Sequence, residues 1–159
     1  MSNIAIYPGT FDPITHGHSD IVRRASRLFD KIIVAVSENT HKNPAFDFAE
    51  RVALAREVLA PYRKVEVMGF SNLLVDFARQ QNAATIIRGL RAVSDLEYEF
   101  QLASMNRKLS SDIETIFFMP DEKYTYVSSS IVRQVASLKG DISDFVHASV
   151  QQALARKNG

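Results

Sequence analysis

Two histidines separated by one glycine, His16 and His18, follow two threonines, Thr10 and Thr15, in the stretch Tyr7 to His18, YPGTFDPITHGH. Hydroxyls, imidazoles and backbone that can be approached closely are groups that receive an anion. The stretch joins an apolar strand, Ile4 to Tyr7, to an amphipathic helix predicted from about Gly17 to Phe29, with Ile21, Val22, Ala25, Leu28 and Phe29 on one face. Such a junction leaves unpaired N–H groups and the positive end of a helix dipole at the carboxyl edge of a sheet, where phosphates bind. Pro8 and Gly9 end the strand, Gly9 admits a ligand close to the backbone, and Pro13 stiffens the loop. Gly17 costs roughly 1 kcal/mol against Ala within a helix, so helix stability does not account for it. The plainer alternative is an ordinary strand-to-helix turn with surface histidines.

Three further clusters fall at predicted strand ends. Arg88-Gly89-Leu90-Arg91 follows the strand Thr85 to Ile87, and two guanidinium forks flanking a glycine suit phosphate or carboxylate. Their alternative is solvation, or pairing with Asp95 and Glu97. Ser128, Ser129 and Ser130 open a helix and repeat the anion-site logic, although serines there often serve only as caps. Lys42 lies in the polar loop SENTHKNPAF, and on its own is weak evidence. Glu99 sits beside a helical stripe, where a solvated carboxylate is the plain reading. His41 and His147 read as surface or satisfied residues. His16 and His18 could ligate a metal, but no cysteine and no obvious carboxylate partner accompanies them. No GxxxxGK[ST] loop, GxGxxG fingerprint or Gly-x-Ser-x-Gly elbow occurs.

The elements that must position these groups alternate. Lys31 to Val36, Val65 to Met68 and Ile113 to Met119 read as further strands, with Gly69 ending the third strand. Asp47 and Glu50 have the spacing of a capping box, which starts a helix that runs to Pro61. Ser71 is the expected cap of a helix through Gln81. A helix from about Ser94 to Leu109 carries Tyr98, Leu102, Met105 and Leu109 as its core stripe. Ser129 to Leu138, closed by Gly140, and a segment from about Asp141 or Ile142 to the basic tail at Arg156 and Lys157 are the last helices. Five short strands separated by helices predict an α/β fold with a doubly wound, five-stranded parallel sheet. The clusters after strands one, two, four and five would then face one crevice at the carboxyl edge.

Bulk numbers agree with that class. At 159 residues, 46% hydrophobic and 23% charged, the chain suits one domain, 1–159, with a core that needs no staple. The net charge of +1 has 19 basic residues scattered among 18 acidic ones, so nucleic acid is not an expected partner. The absence of cysteine excludes disulfides and thiolate chemistry. No signal peptide and no membrane span is read, and the cytoplasm is the expected location.

Thr15-His16-Gly17-His18 resembles the [TH]xGH signature of the nucleotidyltransferase superfamily, and Ser128-Ser129-Ser130-Ile131-Val132-Arg133 resembles its C-terminal signature. YPGTFDPIT-x-GH, RGLRAVSDLEYE and SSS-x-VR, in this order, closely resemble the bacterial phosphopantetheine adenylyltransferase family almost end to end. His16 stands where Asn is expected, at the variable position of the motif. The resemblance implies a Rossmann-like fold with C-terminal helices. It also implies transfer of the adenylyl group of ATP to 4′-phosphopantetheine, giving 3′-dephospho-coenzyme A and pyrophosphate. It makes His18 the donor that stabilises the α-phosphate, with Thr10 orienting the incoming phosphate. Lys42, Arg88 and Leu74 would join Thr10 in holding phosphopantetheine. Arg91, Ser128, Ser129 and Ser130 would hold the ATP phosphates. Phe11, Gly89, Leu90, Glu99, Tyr124, Thr125, Tyr126 and Val127 would complete the nucleotide pocket. Magnesium would bridge ATP phosphates with few or no protein ligands. A homohexamer and feedback inhibition by coenzyme A are implied as well. The alternatives are an adenylyltransferase for another acceptor, such as nicotinate mononucleotide, and a nucleotide-binding regulatory module without turnover.

Overall fold

The strands of the computed structural model, which describes residues 2–40 and 43–159 with the backbone alone at 93 and 94, divide their side chains between two layers. Ala5 and Tyr7 of β1 (Ile4–Gly9) and Ile32, Val34 and Val36 of β2 (Lys31–Ser37) face one core, while Ile6, Ile33 and Ala35 face the other. This alternation is the period of two of a strand buried on both faces. With β3 (Val65–Phe70), β4 (Thr85–Gly89) and β5 (Glu114–Phe118) they form a parallel sheet of order β3-β2-β1-β4-β5. The chain winds outward from β1 in one direction and then, from β4, in the other.

The larger core takes buried side chains from α1 (His16–Ala25), α2 (Phe48–Leu59), α5 (Ser129–Ser137) and α6 (Ala148–Asn158), and the smaller from α3 (Leu74–Gln80). The Asp47–Glu50 capping box starts α2 as the sequence predicts, with Glu50 N–H donating to Asp47 Oδ1 over 2.8 Å.

Several boundaries and one face differ from expectation. Gly69 lies inside β3 because a sixth ladder pair, Ser37 with Phe70, extends the strand. Leu73, not Ser71, precedes α3, without a side-chain cap. Past α5 the residue with positive φ is Lys139, at 64°, and the Gly140 N–H donates to Val135 O. Ile142 and Val146 are buried in the irregular stretch ahead of α6, which His147 caps, so apolar burial there does not signify helix. On α4 (Val93–Leu109), Tyr98, Met105 and Leu109 of the expected core stripe are exposed, at 61%, 59% and 47%. Helical spacing identifies a face without identifying what covers it.

Candidate active site

β1 pairs with β2 through Gly9, but with β4 only at Ala5 and Ile6. From Tyr7 onward β1 and β4 part, and a crevice of about 510 Å³ opens there, where strand order reverses. Thr10, Phe11, His18, Arg88, Gly89, Arg91, Glu99, Tyr124, Val127 and the three serines Ser128 to Ser130 all line it, so three of the four predicted clusters meet there, those after strands one, four and five.

His18 is held by the start of α1. Thr15 caps the helix, its Oγ1 accepting from His18 N–H over 3.4 Å, while Thr15 N–H donates to His18 Nδ1 over 3.0 Å. A backbone N–H can only donate, so Nδ1 is the acceptor and the neutral ring carries its proton on Nε2. Burial, and then the Arg91 and Arg88 cations, lower its pKa from 6.5 to about 4. The crevice is thus offered a neutral N–H donor throughout the neutral range. Phe11, itself at a φ of 51°, packs edge-on to the ring with centroids 4.8 Å apart. A Cβ on Gly9 would meet that Phe11 ring at 3.0 Å, so a larger residue there would require the ring to shift by a few tenths of an ångström.

Carbonyl oxygens of the 8–13 loop would repel a phosphate if they faced it. Each of four is instead engaged by a side chain from elsewhere: Arg88 Nη1 donates to Pro8 O (3.1 Å), Arg51 Nη1 to Thr10 O (2.9 Å), Arg133 Nη1 to Asp12 O (2.6 Å) and Ser129 Oγ to Pro13 O (2.7 Å). These bonds fix the crevice-lining loop from within the chain itself.

Arg88 also grips Glu99 through two bonds, Nε to Oε2 at 2.9 Å and Nη2 to Oε1 at 2.6 Å. Burial alone would lower the Arg88 pKa, but the hydrogen bonds and charge of Glu99 outweigh it and the net shift is upward. Glu99 is not the solvated carboxylate of the plain reading: it lines the crevice and orients Arg88. Arg91 is exposed and 3.8 Å from Asp95. Beneath them burial pushes the Tyr7 pKa up, against the nearby Arg88 and Arg91, so the phenol stays protonated.

Ser128 caps α5, accepting from Ile131 N–H over 3.1 Å, so one of the three serines does serve as a cap. Leu74, Leu90, Thr125 and Tyr126 do not line the crevice. Leu74 packs against the smaller core, Leu90 N–H bonds Phe118 O, Thr125 bonds Glu122 O, and Tyr126 packs edge-on to Phe145. Lys42 and His41 lie outside the described residues. Sequence reasoning missed Asp12, Arg51 and the anchoring role of Arg133. Asp12 accepts from Ala45 N–H (2.8 Å) and Phe46 N–H (2.9 Å). Both Asp12 and Arg133 lie inside the quoted motifs, but Arg51 looks in sequence like any solvated helix cation.

Among the described residues no three His, Asp or Glu side chains group as metal ligands would, and no helix is long and apolar enough to cross a membrane. The crevice carboxylates Asp12, Asp95 and Glu99 are all engaged by protein donors or cations.

The sequence profile of the cytidylyltransferase-like family matches residues 6–135. A phosphopantetheine adenylyltransferase of Aromatoleum aromaticum is 58% identical over 97% of this chain and 94% of its own length. Another from Nitrosomonas eutropha is 62% identical over 96% and 93%. In three dimensions the Plasmodium falciparum nicotinic acid mononucleotide adenylyltransferase aligns over 99% of this chain and 96% of its own, with a TM-score of 0.74 and 18% identity, a likeness of fold. Near-complete alignment at such identity, over a chain whose signature residues converge on one crevice, places it in the phosphopantetheine adenylyltransferase family of cytidylyltransferase-like nucleotidyltransferases.

Proposed function

We propose that the chain transfers the adenylyl group of ATP to 4′-phosphopantetheine. The observation that carries this reading is the neutral Nε2–H of His18, pinned by Thr15 in a crevice flanked by Arg88 and Arg91. A phosphate oxygen of the acceptor attacks the α-phosphorus of ATP, the bond from that phosphorus to the bridging oxygen breaks, and pyrophosphate leaves with the electron pair. The attacking phosphate is already an anion, so no general base is needed. Catalysis then rests on aligning two polyanions and on donating to the oxygen where charge builds. His18 is that donor, Thr10 orients the acceptor phosphate, and Arg88, with Lys42, holds it. Arg91 and the start of α5 hold the ATP phosphates. With the crevice carboxylates engaged, magnesium would come with the phosphates rather than be held by protein side chains, and would supply charge neutralisation there.

Pyrophosphate release with ATP and magnesium, compared across 4′-phosphopantetheine, nicotinate mononucleotide and no acceptor, tests the reading. Release with phosphopantetheine alone is expected. Release with nicotinate mononucleotide instead would reassign the acceptor, and silence with ATP still bound would make the chain a regulatory module. The exposed apolar face of α4 favours a homo-oligomer, for which the hexamer is the expected size; a monomer by light scattering would refute it. Coenzyme A, which carries both the adenylyl and pantetheine parts of the product, is the expected feedback inhibitor, and competition with ATP tests it.

A further inference from the structure

Arg51, in the first turn of α2, is 1% exposed, yet no carboxylate among the described residues lies within salt-bridge range. A buried guanidinium is tolerated only when its donors are used. Here Nη1 donates to Thr10 O (2.9 Å) and Ser37 O (2.7 Å), Nε donates to Phe46 O (3.2 Å), and the group lies over the Phe48 ring at 5.7 Å.

Those three carbonyls belong to three different segments. The β1–β2 ladder ends at the pair Gly9 and Val36, so Thr10 and Ser37 are the next residues of each strand, and Arg51 joins them where backbone pairing stops. Phe46 belongs to the segment that leads into α2, and Thr40, Asn43 and Pro44 just ahead of it line the crevice. The same segment is held from the opposite side by Asp12, which accepts the Ala45 and Phe46 N–H groups. Arg88 and Arg133, which also hold carbonyls of the 8–13 loop, both line the crevice and can reach a ligand. Arg51 is sealed away from it.

We propose that Arg51 is a positioning residue for the acceptor: through Phe46 and Ser37 it fixes the wall that carries Thr40, Asn43 and Pro44 against Thr10, without touching substrate. The proposal rests on the reading above, in which the acceptor phosphate meets Thr10. An arginine suits the role because its planar fork reaches three carbonyls at fixed angles, whereas a lysine ammonium at the same site keeps the charge and loses that geometry.

The test is Arg51→Lys, with KM measured separately for each substrate and amide exchange measured at Ala45 and Phe46. The KM for the acceptor is expected to rise about tenfold or more while that for ATP stays within about threefold, a split that general loss of folded protein does not produce. Exchange at the two amides should quicken by about tenfold or more, with β2 core amides unchanged. Asp12→Asn, which loosens the segment from the other side, should give the same split and decides the matter if R51K does not fold. Equal rises in both KM values would overturn the acceptor role, and unchanged exchange would overturn the positioning itself. If the wild type uses a different acceptor, the functional reading fails on that control, and the same split is read with the acceptor it does use.

Discussion

Replacing His18 by Ala removes one neutral donor and leaves the arginines and the 8–13 loop in place. Nε2 carries the only ring proton, because Nδ1 accepts from Thr15 N–H, so nothing in the imidazole can substitute for it. Loss of one such preorganised donor removes about 2.7 to 4 kcal/mol of transition-state stabilisation, or roughly a hundredfold to a thousandfold in turnover. Pyrophosphate release should fall by that factor, while ATP affinity by titration calorimetry changes by less than about threefold, because donors that act on developing charge contribute little to the ground state. The pH dependence sharpens the test. With a pKa near 4 the ring is neutral at pH 6 and at pH 8, so the deficit should be the same at both. Near-normal turnover would refute the role, and a deficit that shrinks at pH 8 would refute the neutral donor in favour of a protonated ring. The same shift bears on stability. Between pH 6.5 and about 4 the unfolded chain binds a proton at this position that the folded chain refuses, so stability is full above 6.5 and falls as pH drops towards 4. Discounted for partial exposure, that loss is about 1 to 2 kcal/mol, and H18A should be spared it in urea titrations compared at about pH 7 and about pH 4.

Other perturbations read the scaffold. Glu99→Ala strands Arg88 in the crevice wall and should destabilise by about 3 kcal/mol in urea, the lower end for a broken buried pair since the Arg88 side chain is 26% exposed; a loss under about 1 kcal/mol would mean that water replaces the carboxylate. Gly69→Ala would put a Cβ 2.2 Å from Phe48 Cζ, so the ring under Arg51 must shift, with about 1 to 3 kcal/mol lost on thermal unfolding and none if that ring is free to move. Asp47→Ala removes the α2 cap and should lower stability by about 1 kcal/mol with no change in either KM; an altered KM would mean that the cap also shapes the crevice.

The sequence made the parallel sheet and most of the crevice legible because both follow from short-range signals. Apolar runs such as KIIVAV specify strands buried on both faces, and Thr10, His18 and Ser128 follow strand ends while Arg88 lies in the last residues of β4, which topology then brings together. What escaped depends on partners far along the chain. Arg51 is an unremarkable helix charge until the fold sets Thr10 O against it, 41 residues away, and the resemblance that singled out Glu99 did not show its grip on Arg88, 11 residues away. The α4 stripe failed for the opposite reason, since a regular apolar face says nothing of whether its partner lies in the same chain. Tyr126 and Thr125 were carried over with their neighbours, and only Tyr124 and Val127 of that segment reach the crevice.

The unequal pairing of β1, six residue pairs with β2 and two with β4, makes the ligand crevice also the line along which the sheet is least stitched. Residues before that line carry Thr10 and His18, and residues after it carry Arg88, Arg91 and the serines. A nucleotide that contacts both sides therefore supplies cross-ties that the backbone omits. Ligand at a hundredfold its dissociation constant adds about 2.7 kcal/mol to stability by mass action, and here that increment would fall at the seam between the two halves of the chain. Occupancy would then be read in how firmly the first half of the chain is joined to the second.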